Sequence, residues 1–187
     1  MNKKEQKYIL DKLSVVIGKK LNQVSRAGTM IQLGLGELKK SKKAYKTETG
    51  EFAIREDMVS RYAIHIDCVF RITCGNTILI SRSDIFKPNS ELINSHDFDE
   101  DKFEWDINGV NRFDEMIRLH FEENPLDFYV NKIVINQYGD LKINLSNNFC
   151  IEIFVDVTDA EECWRYFESG NIDDTHLVIT GVGFNEE

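Results

Sequence analysis

Three turn dipeptides constrain this chain more than any other feature. Gly75-Asn76, Gly139-Asp140 and Asn147-Asn148 each stand between two runs of alternating apolar and polar residues. Glycine and asparagine reach the backbone angles of tight hairpin turns, and period-two alternation marks a strand with one buried face. In "YAIHIDCVFRITCGNTILISRSDIF" the spacing puts Ile64, Ile66, Cys68, Phe70 and Ile72 on one face of a strand. His65, Asp67, Val69, Arg71 and Thr73 take the other face, and residues 77–81 return. After Pro125 a meander runs through "FYVNKIVINQ", "LKINLS" and "CIEIFVDV", and "HLVITGVGF" reads as a last strand. Earlier, "GTMIQLGLGEL" is strand-like, and "KKSKKAYKTETGEFAIRED" reads as a polar, mobile connection.

Two segments carry helical spacing instead. Residues 3–21 place Tyr8, Leu13, Val16, Ile17 and Leu21 near one stripe. In "NRFDEMIRLHFEEN", Asn111 can cap a helix whose apolar side is Phe113, Met116, Ile117, His120 and Phe121. "ECWRYF" is open to both readings. Asp159 and Glu162 have the spacing of a capping box, but Cys163, Arg165 and Phe167 alternate with Trp164 and Tyr166, which favours a strand. With no histidine local enough to activate the thiol, Trp164 is expected to be a buried anchor and Cys163 to be no nucleophile.

The expected fold class is therefore α+β. An antiparallel, meander-rich sheet carries an N-terminal helix and a second helix near residues 111–122. A chain of 187 residues reads as a single domain, with a two-lobed division into 1–90 and 105–187 as the alternative. No apolar run approaches a membrane span, and charged residues interrupt the apolar positions of the first 21 residues, so a cytoplasmic protein is expected. Cys68, Cys74, Cys150 and Cys163 have neither CxxC spacing nor a histidine at zinc-finger distance, and read as reduced core or near-core residues.

Catalytic motifs are few. "GLGEL" has two glycines of a dinucleotide fingerprint, but Lys39 stands at the third. There is no P-loop, GxSxG or HExxH. Asp97, Asp99 and Asp101 alternate as in a calcium loop, but Lys102 replaces the glycine and Asn108 the bidentate glutamate. No cofactor or metal is implied. His65, Asp67 and Arg71 share one strand face by parity, which a small enzyme could use as base and anion clamp, although sheet faces in solvent carry such residues as a matter of course.

Charge is divided unevenly. Residues 1–46 hold twelve Lys or Arg and three acids, whereas the remainder holds 11 basic and 29 acidic residues. Five lysines fall in "LKKSKKAYK", a segment that could touch phosphate but lacks arginines and stacking residues apart from Tyr45. The acidic counterpart is concentrated between residues 97 and 106. Asp97, Asp99, Glu100, Asp101, Glu104 and Asp106 are interleaved there with Phe98, Phe103 and Trp105. Acids steer a basic partner and aromatics supply anchoring area, so Asp97, Asp99, Glu100, Asp101, Phe103, Glu104 and Trp105 are the candidate partner-binding residues. The opposite reading has the aromatics tucked into the core to pin the loop.

The segments "VFRITCGNTILISRSDI", "FEWDINGVNRFDEMI" and "GDLKINLSNNFCIEIFVDVTDAEECWRYF", with "HLVITG" closing, resemble small bacterial α/β families associated with polymorphic-toxin immunity proteins. The likeness spans roughly residues 60–182 and transfers no functional residue. It implies a non-enzymatic inhibitor of a toxin in the same cell. An acidic, soluble chain suits that role, because a toxin acting on nucleic acid tends to carry a cationic site. Two other classes stay open: a small enzyme using the His65, Asp67 and Arg71 face, and a nucleic-acid-associated protein using the lysine-rich first quarter.

Overall fold

A computed structural model describes residues 1–47, 49–170 and 175–187. Asn2 caps helix α1 (Lys3–Leu13) by accepting from the Lys4 and Glu5 amides, while Glu5 reaches back to the Asn2 amide. The helical stripe in the sequence runs on to Leu21, yet the helix stops at Leu13. The β-branched run Val15-Val16-Ile17 disfavours further helix, and Gly18 turns the chain at φ +79° after one 3₁₀ turn. Ile9, Leu13 and Val16 are buried; Tyr8 and Ile17 remain exposed.

Strand β1 (Leu21–Ala27) folds through Gly28 onto β2 (Met30–Lys46), which pairs with β3 (Phe52–Ile66) along most of its length. This corrects the expectation of a mobile connection after residue 38. Cross-strand pairs Lys40↔Met58, Ala44↔Ile54 and Lys46↔Phe52 continue the ladder far beyond the core. About half of the backbone groups pair between the two strands and the rest face solvent, so the outer ribbon forms without a buried face, and the apolar positions Phe52, Ile54 and Met58 along one side stay exposed.

The strand expected across residues 64–72 is also interrupted. β3 ends at Ile66, and β4 (Val69–Cys74) belongs to a different sheet. Between them the Asp67 and Cys68 amides both donate to the Cys163 carbonyl, at 2.8 and 3.2 Å. The alternation itself is real: Ile64, Ile66, Cys68, Phe70 and Ile72 are all buried. They line one core while the chain changes sheets.

β4 turns at Gly75 into β5 (Thr77–Ser81). After the short helix α2 (Ser90–Ile93), helix α3 (Arg112–Ile117) runs on as a π turn to Glu122, capped by Asn111, whose side chain accepts from the Asp114 amide. The expected meander follows as β6 (Val130–Ile135), β7 (Leu141–Leu145) and β8 (Phe149–Phe154), with Asn147 and Asn148 at φ 59° and 61° in the tight turn. "ECWRYF" is a strand, β9 (Glu162–Glu168). The single last strand expected in "HLVITGVGF" is a hairpin of β10 (Leu177–Thr180) and β11 (Gly183–Glu186).

The fold is α+β but dominated by two antiparallel sheets. One has the order β1-β2-β3-β9-β10-β11 and the other β5-β4-β8-β7-β6. The sheets do not divide the chain near residues 90–105, because the six-stranded sheet unites β1–β3 with β9–β11 from the far end. Among the described residues a hydrophobic cluster draws on both sheets, α1 and α3. Trp164 lies at its centre with no exposure, and its indole Nε1 donates to the Gly139 carbonyl at 2.9 Å, joining β9 to the turn between β6 and β7.

Candidate functional site

The acidic segment is held by side chains that its own sequence does not reveal. Arg26, on β1, has a side chain only 2% exposed. Its Nε and Nη2 donate to the two carboxylate oxygens of Asp114 at 2.8 Å each, and Nη2 donates to the Ile107 carbonyl at 2.8 Å. Asp114 also accepts from the Gly109 amide at 2.7 Å. Asn111 donates to the Trp105 carbonyl at 2.9 Å and Asn89 to the Gly109 carbonyl at 2.8 Å. Carbonyls at residues 105, 107 and 109 are thus fixed by three buried or nearly buried side chains. A bidentate arginine on a carboxylate adds both strength and direction to such a clamp.

On this base the candidate residues separate into two groups. Trp105 is half-buried, packs against the core and sits edge-on to Phe86 at 5.1 Å, so it pins the loop. Phe98 and Phe103 pair at 6.4 Å and border a hollow of about 360 Å³ that Leu92, Ile107 and Val110 also line. Asp97, Asp99 and Glu104 reach the same hollow. Asp97, Asp99, Glu100, Asp101 and Glu104 are all exposed. Asp99 holds Lys102 at 2.7 Å and accepts from the Asp101 amide. The result is an open, largely apolar hollow with three acids, Asp97, Asp99 and Glu104, and one cation, Lys102, around it.

The His65, Asp67 and Arg71 trio does not share a strand face, because residues 67 and 68 carry the chain from one sheet to the other. Arg71 donates to Glu152 at 2.6 Å, and Lys142 donates to the other oxygen at 3.0 Å. Burial pushes the Glu152 carboxyl up, but the hydrogen bonds from Arg71 and Lys142 outweigh it and hold the group below its ordinary range. His65 lies in register with Arg165 and edge-on to Phe167 at 4.9 Å. Burial first, and then the Arg165 charge, lower its pKa. His176 stacks on Phe167 at 4.4 Å and its Nδ1 lies 3.0 Å from Arg165, which also grips Glu162. Arg71 is thus absorbed into an ion-pair network with Glu152 and Lys142, apart from His65, which packs beside Phe167 and Arg165.

Cys163 and Arg165 were expected to share a face. A register shift between β9 and β10 breaks the parity, leaving Cys163 fully buried and Arg165 partly exposed. Burial raises the Cys163 thiol above its ordinary pKa, the reverse of what a nucleophile needs.

The lysine-rich stretch is one edge of the outer half of the β2–β3 ribbon. Facing pairs put Leu38, Met58, Ile54 and Phe52 on one side of that ribbon, and these are 53%, 56%, 71% and 82% exposed. Lys40 lies near Glu56 at 3.7 Å and Arg55 near Asp57 at 2.8 Å. The outer ribbon carries both signs of charge on its surface.

The chain matches no protein-family model, no curated protein and no solved structure. Among the described residues no helix is long and apolar enough to cross a membrane.

Proposed function

We propose that this protein is a non-enzymatic binding protein that takes a basic protein partner at the acid-lined hollow between Phe98 and Phe103. The observation that carries the reading is the hollow itself. Its apolar floor would accept an aliphatic or aromatic side chain, and Asp97, Asp99 and Glu104 would meet flanking lysines or arginines. Arg26, Asn89 and Asn111 hold the backbone along one flank of the hollow, at residues 105, 107 and 109, which lowers the ordering cost of association on that side. The resemblance of residues 60–182 to immunity-associated families supports a more specific form of the same reading, in which a cytoplasmic protein neutralises a toxin made beside it. The phosphate-binding alternative is weakened by the glutamate and aspartate that accompany the lysines on the outer ribbon.

The test uses the product of the neighbouring gene, co-expressed and purified with this chain, in surface plasmon resonance at two salt concentrations. Replacing Asp99, Glu100 and Asp101 by their amides should slow association and flatten its salt dependence, because exposed charges act on encounter. Phe98→Ala with Phe103→Ala should instead raise the dissociation rate. Changes below about twofold in both sets would place the interface elsewhere, against a usual hot-spot loss of tenfold or more.

A further inference from the structure

We propose that Cys68, Cys163 and Asp156 form a zinc site, with water completing a tetrahedral shell. The three residues come from segments far apart in the chain. Cys68 lies in the link where the chain leaves the six-stranded sheet, and Asp156 in the link from β8 back to it. Cys163 lies near the start of β9, beside the register shift. Their two sulfurs and one carboxylate oxygen all lie within 4.8 Å of one another. Ligand atoms around tetrahedral zinc are about 3.5–3.8 Å apart, given bonds of about 2.3 Å to sulfur and 2.0–2.2 Å to oxygen. Small side-chain movements therefore close the set around an ion.

Two buried thiols alone would be ordinary core packing. Two further features exceed that. The backbone places the pair, since the Asp67 and Cys68 amides both bind the Cys163 carbonyl. Arg82 donates to the Cys68 carbonyl at 3.0 Å and adds positive potential beside Cys68. A divalent ion would displace the two thiol protons on binding. Asp156 is exposed, whereas Cys68 and Cys163 are 3% and 0% exposed. The ion would thus enter from the Asp156 side, where solvent supplies the fourth ligand. Two soft thiolates with one carboxylate suit zinc rather than calcium or magnesium. An ion here would tie together both passages between the sheets.

Cobalt(II) is the probe, added to the full chain after reduction and chelation. A thiolate-to-cobalt charge-transfer band and visible bands of tetrahedral cobalt should saturate at one equivalent and bleach when zinc is added. Cys163→Ser should abolish the charge-transfer intensity at one equivalent or reduce it at least twofold. Asp156→Asn, at an exposed position that leaves the core intact, should weaken cobalt binding at least tenfold. Cys74→Ser and Cys150→Ser should leave the spectrum unchanged. In the wild-type chain zinc should also slow alkylation of two of the four thiols. A natively folded wild-type chain that shows no charge-transfer band at tenfold excess cobalt would overturn the site. So would bands indifferent to Asp156→Asn, or a Cys68–Cys163 disulfide in freshly isolated protein.

Discussion

The inner and outer halves of the β2–β3 ribbon are made from the same two strands by the same pairing, and they differ in everything else. At the inner half, Ile31, Leu33, Leu35, Ile64 and Ile66 are no more than 1% exposed. At the outer half, Met58, Ile54 and Phe52 are 56%, 71% and 82% exposed. The change falls at an irregularity between Leu35 and Leu38, where Gly36 takes φ +84° and the Tyr62 ring lies where a larger residue's Cβ would crowd it. A bulge adds twist and turns the ribbon away from the core. The comparison teaches that a ladder of backbone hydrogen bonds defines a strand, whereas stability comes from what its faces touch.

The largest effect should come at the inner end. Trp164 lies in register with Ile66 and also bonds the Gly139 carbonyl. Trp164→Ala should cost about 3–5 kcal/mol, the range for deleting a large buried aromatic, measured by urea denaturation. A loss below about 1 kcal/mol would mean that the two sheets are not joined there.

An intermediate effect belongs to charges. Glu152 is 16% exposed and receives both Arg71 and Lys142, whereas Glu56 on the outer ribbon is 52% exposed beside Lys40. Glu152→Gln should cost about 1 kcal/mol at neutral pH, a modest value for a partly exposed cluster. Its folded pKa is depressed, so this stability is present above the unfolded pKa and is lost as pH falls through the folded one. Wild-type and variant unfolding curves should therefore converge only once the pH has fallen below that depressed folded value. Glu56→Gln should change nothing measurable at any pH, and a pH-independent Glu152→Gln deficit would refute the ionic account.

The same contrast explains what the sequence could disclose. The five-stranded sheet was legible because its hairpins are local: Gly75-Asn76 and Asn147-Asn148 name their turns, and Ile151 and Ile153 alternate into the core. Trp164 was legible as an anchor for the same reason. The outer ribbon was not, since Lys40, Lys46, Phe52 and Ile54 face solvent and follow no buried pattern. The break at Asp67 was hidden too, because Ile66 and Cys68 continue one buried face across two sheets. The acids of residues 97–106 were visible as a cluster, but Arg26, which holds Ile107 from 81 residues away, gave no signal that a linear spacing could carry. Cys68, Asp156 and Cys163 meet only through the sheet crossings, so no ligand spacing marks them.

The smallest effect should lie at the outer ribbon. Phe52→Ser and Ile54→Ser remove large apolar side chains, yet each should change stability by less than about 0.5 kcal/mol, as expected for surface positions without packing partners. Ile64→Ala, equal in kind but at the inner half, should cost about 2–5 kcal/mol. Hydrogen exchange should show the boundary directly in the wild-type chain. Amides of residues 31–35 and 62–66 should exchange only on global unfolding, while those of residues 39–46 and 52–58 should exchange orders of magnitude faster through local opening. The step should fall at Gly36, because the bulge is where side-chain packing ends while pairing continues. If Phe52→Ser instead destabilises by more than about 1 kcal/mol, or the outer amides are as protected as the inner ones, the apolar face is covered. The ribbon would then be a packed element, and the distinction between its halves would fail.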